Sequence, residues 1–124
     1  MKANILVVDD NRQVCRSVAD MLSPIGAQIV LAYNGTEARD ALEKKPVDLA
    51  IVDLLFSGPV SSGAVVQHAK LRQCPVITMS GTLSSDPHGR DLDTPHLIKP
   101  FGTEQLISLV ETTLARRGRP VIVL

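Results

Sequence analysis

The stretch Val47-Asp48-Leu49-Ala50-Ile51-Val52-Asp53 constrains this chain more than any other, because it is short, almost wholly apolar and ends on an acid. An apolar run of this length predicts a parallel strand with both faces covered by helices. Such a strand belongs to an open α/β sheet, where chemistry gathers at the carboxyl ends of the strands. Asp53 is the group that this strand delivers there.

The flanking sequence supplies the other layers. Residues 3–8 are a first apolar run that stops at Asp9 and Asp10. Val14, Val18, Met21 and Leu22 then recur at the spacing of one helical face. Asn11 is the expected N-cap, and Pro24 and Gly26 the stop. Residues 28–32 read as a second strand and Asn34-Gly35 as a turn. Thr36 is the expected cap of a second helix, with Ala38, Ala41 and Leu42 facing inward. The sequence after Asp53 is loop-like as far as Gly63, and Val65, Val66 and Ala69 mark a modest helix over residues 64–72. Residues 75–79 predict a fourth strand running into Ser80-Gly81, and residues 96–98 a short fifth running into Lys99-Pro100. Residues 82–95, broken by Pro87, Gly89 and Pro95, have no helical period and predict a loop or a single turn. Leu106, Ile107, Val110 and Leu114 stripe a final helix capped by Thr103, with Glu104 in its first turn. Arg116 and Arg117 suit the negative end of its dipole, and Gly118 the position just beyond. Strands alternating with helices in this way predict a parallel sheet with helices on both faces.

A chain of 124 residues that is 44% hydrophobic suits one domain with a filled core. With 2% aromatic residues and no Trp, that core is built from Val, Ile, Leu and Ala. Residues 1–118 form the expected domain, and residues 119–124 an apolar tail that lies back on it while leaving a homodimer contact open. Lys plus Arg and Asp plus Glu both number 13, a balance that argues against a nucleic-acid surface. No run approaches the roughly 18 apolar residues that suggest a membrane span. The N-terminus lacks the apolar stretch and small-residue cleavage site of a signal peptide, so a cytoplasmic protein with no membrane partner is expected. Cys15 and Cys74 form neither a disulfide framework nor a metal spacing and read as reduced, inert filler. His68 and His88 read as surface residues.

The strand ends hold the chemistry. The first brings Asp9 and Asp10, the third Asp53, the fourth Ser80 and the fifth Lys99. In a doubly wound sheet of order 2-1-3-4-5 these ends converge on one edge. Clustered carboxylates repel and resist desolvation, and a hard divalent cation such as Mg²⁺ removes the conflict. A carboxylate can also attack a phosphoryl group to give an aspartyl phosphate, with Mg²⁺, a Lys and a hydroxyl stabilising the charge that develops.

At these positions the sequence resembles the receiver domains of bacterial two-component response regulators. The matching segments are Val7-Val8-Asp9-Asp10-Asn11, Asn34-Gly35-Thr36-Glu37-Ala38, Val52-Asp53, Thr78-Met79-Ser80-Gly81 and Lys99-Pro100-Phe101, and the resemblance spans about residues 3–117. It implies a flavodoxin-like, doubly wound α/β sheet; the helix that the family carries between the fourth and fifth strands is expected to be short or replaced by a loop here, because of the composition of residues 82–95. It also implies that Asp53 is the phosphoacceptor, that Asp10 and Asp53 bind Mg²⁺ directly with Asp9 assisting through water, and that the backbone carbonyl of Leu55 is a further ligand. Lys99 would pair with the phosphoryl group, Ser80 would bond one of its oxygens, and Lys99-Pro100 would hold a cis peptide. The implied phosphate source is a histidine kinase or phosphotransfer protein, and the implied output is a downstream protein partner. The expected protein is a single-domain regulator that catalyses only its own phosphorylation and dephosphorylation.

Three features depart from the family pattern. Where the family has Met-Pro at the third and fourth positions after the acceptor and Gly at the eighth, this chain has Phe56, Ser57 and Ser61, with Gly63 two residues late. That suggests a small insertion beside the metal site. Residues 80–99 are also shorter than is common. His96 stands where an aromatic switch residue often sits, and reads either as a ring that turns in and out or as an exposed edge histidine. The altered loop motivates an alternative, a phosphate-independent pseudo-receiver acting as a protein-binding module. A phosphatase of the dehalogenase-like class is disfavoured, because its nucleophile lies in an Asp-x-Asp pattern after the first strand and Asp9-Asp10 are adjacent.

Overall fold

A computed structural model describes residues 2–56, 58–81 and 94–116. Five parallel strands form one sheet: β1 (Asn4–Val8), β2 (Gln28–Ala32), β3 (Leu49–Asp53), β4 (Val76–Ser80) and β5 (His96–Ile98). Their order is β2-β1-β3-β4-β5, as expected. Among the described residues the helices are α1 (Arg12–Met21), α2 (Gly35–Lys44), α3 (Ser62–Leu71) and α4 (Thr103–Arg116). A 3₁₀ turn over Ser23–Ile25 stops α1, with Gly26 at φ 74°, so Pro24 and Gly26 act as expected. Expectations for residues 82–93, His88, Arg117, Gly118 and the tail at 119–124 lie outside the described residues.

The strand period of two divides the core between the two faces. Leu6, Val8, Ala50, Val52 and Val76 pack beneath α2 and α3, with Ala38, Leu42, Val65, Val66 and Ala69. Ile5, Val7, Leu49, Ile51, Ile77 and Met79 pack beneath α1 and α4, with Val18, Leu22, Leu106 and Val110. Every residue of β3 and β4 is buried, which is why the opening stretch is a continuous apolar run and does not alternate. Cys15 and Cys74 are both buried, as expected of filler.

Several local expectations need correction. Asn11 does cap α1, accepting hydrogen bonds from the amides of Gln13 and Val14. The cap of α2 is Asn34 and not Thr36: its Oδ1 accepts from the Glu37 amide, and Glu37 Oε1 reaches back to the Tyr33 amide at 2.8 Å. α3 begins at Ser62, two residues early, because Ser61 caps it through the Ala64 amide. Thr103 is the first helical residue of α4 and no cap; the carbonyl of Gly102 accepts from the Leu106 amide. His68 on α3 is partly exposed, with Nε2 3.7 Å from Glu43 of α2.

Candidate functional site

Asp9 and Asp10 follow β1 directly, and Asp53 is the last residue of β3. β1 and β3 are adjacent parallel strands with Val8 opposite Val52, so their carboxyl ends stand side by side. One carboxylate oxygen from each of Asp9, Asp10 and Asp53 lies within 4.8 Å of the others. Asp9 and Asp53 are buried and Asp10 is exposed. A buried carboxylate with no compensating charge costs several kcal/mol, on the order of a full ion desolvation. The compensation comes from β5, whose exit places Lys99 Nζ 2.7 Å from Asp9 and 3.3 Å from Asp53.

Each acid is held differently. Asp9 Oδ1 accepts the Asn11 amide at 2.9 Å while Oδ2 takes Lys99, so its two oxygens are separately fixed. Asp53 has weaker support. Burial raises its pKa above the usual carboxylate value of 3.8, the neighbouring Asp9 raises it further, and Lys99 opposes both. For Lys99, burial alone would lower the pKa; the hydrogen bond to Asp9 and the attraction of Asp53 outweigh it and the net shift is upward. Cys15, whose thiol donates to the Asp9 carbonyl at 3.3 Å, is pushed up to about 11 by burial and by Asp9, so it is an inert thiol at neutral pH.

Three carboxylates against one ammonium leave the site anionic. A cluster of hard oxygen donors, two of them buried, fits a small divalent cation such as Mg²⁺ that keeps part of its water. It is the only such acidic cluster among the described residues. Of the other expected site residues, Ser80 ends β4, one residue past Met79, the register partner of Asp53. Its carbonyl accepts the Lys99 amide at 2.7 Å, tying the two strand ends together. Leu55 lies two residues after Asp53 with an exposed side chain, close to Gly81 across the mouth of the site. The Lys99-Pro100 peptide is cis. An open groove of about 600 Å³, lined in part by Asn11, Val14, Met21, Lys99 and Phe101, leads from the site along α1.

The segment after Asp53 packs into the core. Leu54, Phe56 and Val60 are buried and join the core cluster under α2 and α3. The Leu54 amide donates to the Met79 carbonyl at 2.9 Å, and the buried Ser62 hydroxyl donates to the Phe56 carbonyl at 3.2 Å. Gly58, at φ 134°, makes a turn that L side chains rarely adopt. The residue that sequence reasoning missed is Gly35: a Cβ there would lie 2.0 Å from the Val60 carbonyl oxygen, so α2 must start on glycine for the loop to pack. A second miss concerns His96. Its ring is turned inward and it is no plain edge residue, because Nδ1 lies 2.7 Å from Thr78 Oγ1 and Nε2 lies 2.8 Å from Ser80 Oγ.

Comparison with known proteins agrees with this geometry. The chain is 33% identical to the transcriptional regulatory protein PrrA of Mycobacterium tuberculosis over 92% of its own length and 51% of that protein. It is 27% identical to the regulatory protein VanRc of Enterococcus gallinarum over 96% of its own length and 53% of that protein. The chain therefore spans about half the length of the curated relatives it matches. A response regulator receiver protein from Sinorhizobium medicae superposes with a TM-score of 0.83 at 24% identity, covering 94% of this chain and 97% of that one. A CheY-like response regulator receiver domain protein from Methanospirillum hungatei does so with a TM-score of 0.82 at 20% identity, covering 94% and 97%. Residues 5–111 match the family model of the response regulator receiver domain, and the chain belongs to that family.

Proposed function

We propose that this chain is a phosphorylation-operated switch whose phosphoacceptor is Asp53, supplied by a histidine kinase or phosphotransfer protein. The observation that carries this reading is the convergence of Asp9, Asp10, Asp53 and Lys99 from three strand ends on one small volume. Asp10 and Asp53 would hold Mg²⁺ directly, with Asp9 acting through water and the Leu55 carbonyl completing the set. Bound there, Mg²⁺ supplies positive charge against the phosphoryl oxygens. An Asp53 oxygen attacks phosphorus, the bond from phosphorus to the donor breaks, its electrons leave with the donor, and an acyl phosphate remains on Asp53. Lys99, already 3.3 Å from Asp53, pairs with the incoming charge, and Ser80 donates its hydroxyl to a phosphoryl oxygen. The groove along α1 gives the donor its approach. Residues 1–118 serve as the switch domain, in the cytoplasm, acting on its own acceptor and on no separate substrate; its output is the binding of a protein partner. Among the described residues no helix is long and apolar enough to cross a membrane.

Beryllofluoride with Mg²⁺ tests this reading. It should shift the amide resonances of residues 9–11, 53–55 and 80–81 in the unaltered chain and leave Asp53→Asn unchanged. Equal spectra with and without beryllofluoride would leave the phosphate-independent binding module as the better account.

A further inference from the structure

Leu55 is held from both sides although its own side chain is exposed. On one side the Leu54 amide donates to the Met79 carbonyl of β4 at 2.9 Å. On the other, Phe56 is buried and its carbonyl accepts the Ser62 hydroxyl of α3 at 3.2 Å. Among the described residues the buried polar side chains are Asp9, Asp53, Ser62, Thr78 and Ser80, and Ser62 alone belongs to a helix. A hydroxyl taken out of water costs stability unless it is hydrogen-bonded. The bond that Ser62 makes reaches back six residues, into the segment that follows Asp53.

The kind of bond matters here. Packing of Leu54, Phe56 and Val60 fixes where the loop lies, but apolar burial is non-directional and leaves the peptide planes free to turn. A hydrogen bond is directional. Each peptide is a rigid plane, joined to the next through two soft dihedral angles. The Leu54 amide fixes the plane between residues 53 and 54, and the Ser62 hydroxyl fixes the plane that carries the Phe56 carbonyl. Only two planes lie between these, and the second of them carries the Leu55 carbonyl.

We propose that Ser62 is a positioning residue for the metal site: by holding the Phe56 carbonyl, its hydroxyl presets the direction of the Leu55 carbonyl. The proposal rests on the reading of Asp10, Asp53 and the Leu55 carbonyl as ligands of Mg²⁺. Without the hydroxyl, the folded loop spreads over orientations that do not bind. Affinity then falls by the fraction of molecules left in the orientation that does.

The test separates this role from a plain contribution to stability. Mg²⁺ is titrated into the unaltered chain, Ser62→Ala, Ser61→Ala and Asp53→Asn, and binding is followed through the amide resonances of residues 9–11 and 53–55. Ser61→Ala is the control, because Ser61 caps the same helix through the Ala64 amide. Losing one neutral hydrogen bond predicts roughly fivefold weaker Mg²⁺ binding by Ser62→Ala. Ser61→Ala should unfold at lower urea concentration and still bind Mg²⁺ as the unaltered chain does. In metal-free protein the Leu55 and Phe56 amides should broaden by exchange in Ser62→Ala and stay sharp in Ser61→Ala, a readout that needs no bound ion. Unchanged Mg²⁺ affinity in Ser62→Ala, or an equal loss in Ser61→Ala, would overturn the proposal alone. An unaltered chain showing no Mg²⁺ binding that Asp53→Asn weakens would overturn the metal-site reading and this proposal together.

Discussion

Two loops frame Asp53, and they are held by opposite means. The β1–α1 loop is three residues long, and every one of its side chains is polar. Asp9 accepts from an amide and from Lys99, Asn11 caps the helix, and Asp10 faces solvent. The β3–α3 loop is longer and is anchored by apolar side chains, Leu54, Phe56 and Val60, sunk into the core. The first loop gets its shape from hydrogen bonds made within a few residues. The second gets it from long-range packing, including contact with the first residue of α2. Both leave strand ends that meet at the same volume, so a short polar turn and a buried apolar loop are two ways to fix a strand end.

This contrast makes quantitative predictions. The largest effect belongs to the apolar loop: Phe56→Ala should cost about 3–5 kcal/mol in urea unfolding, the range for emptying a buried aromatic site. A loss below about 1 kcal/mol would mean that the loop is not anchored by packing. Gly35→Ala comes next. Its Cβ collides with Val60 backbone, which cannot rotate away, so a loss of about 1–3 kcal/mol is expected, as for other overpacked sites. The same substitution at exposed Gly102, where a Cβ would meet nothing within 4 Å, is the control for any general effect of replacing glycine. In the polar loop, Asn11→Ala removes a helix cap and should cost about 1 kcal/mol. A cost equal to that of Phe56→Ala would erase the distinction between the loops.

The smallest effect is a pH slope. The Asp53 pKa is raised in the folded protein above 3.8, so its protonated form is favoured by folding. The resulting stability is fully present below pH 3.8 and is lost as pH rises through the folded pKa. Without Mg²⁺, stability relative to Asp53→Asn should therefore fall with rising pH across that window, and added Mg²⁺ should flatten the difference. A difference that grows with pH would reverse the sign and contradict the burial of Asp53.

The same contrast explains how much of the molecule was legible in its sequence. The parallel sheet followed from alternating apolar runs, its strand order from the family resemblance, and the site from polar residues immediately after strand ends, where offsets are fixed by the strand itself. Asn11 was readable as a cap because its role is local. The β3–α3 loop was not readable, since Phe56 and Val60 have no periodic spacing and their partners are distant in sequence. Thr36 was mistaken for a cap because Asn34 and Thr36 are both good capping residues two positions apart, and the Glu37 side chain decides between them by reaching back to Tyr33. The link between His96 and Ser80 depends on strand register, which no local pattern reports.

The central claim is that these two unlike loops assemble one Mg²⁺-dependent acceptor at Asp53. Intact-mass measurement after incubation with acetyl phosphate tests it most directly. The account predicts the gain of one phosphoryl group with Mg²⁺ present, no gain when Mg²⁺ is chelated, and no gain in Asp53→Asn. A phosphoryl adduct that persists in Asp53→Asn, or no adduct at all on the unaltered chain with Mg²⁺, would contradict it.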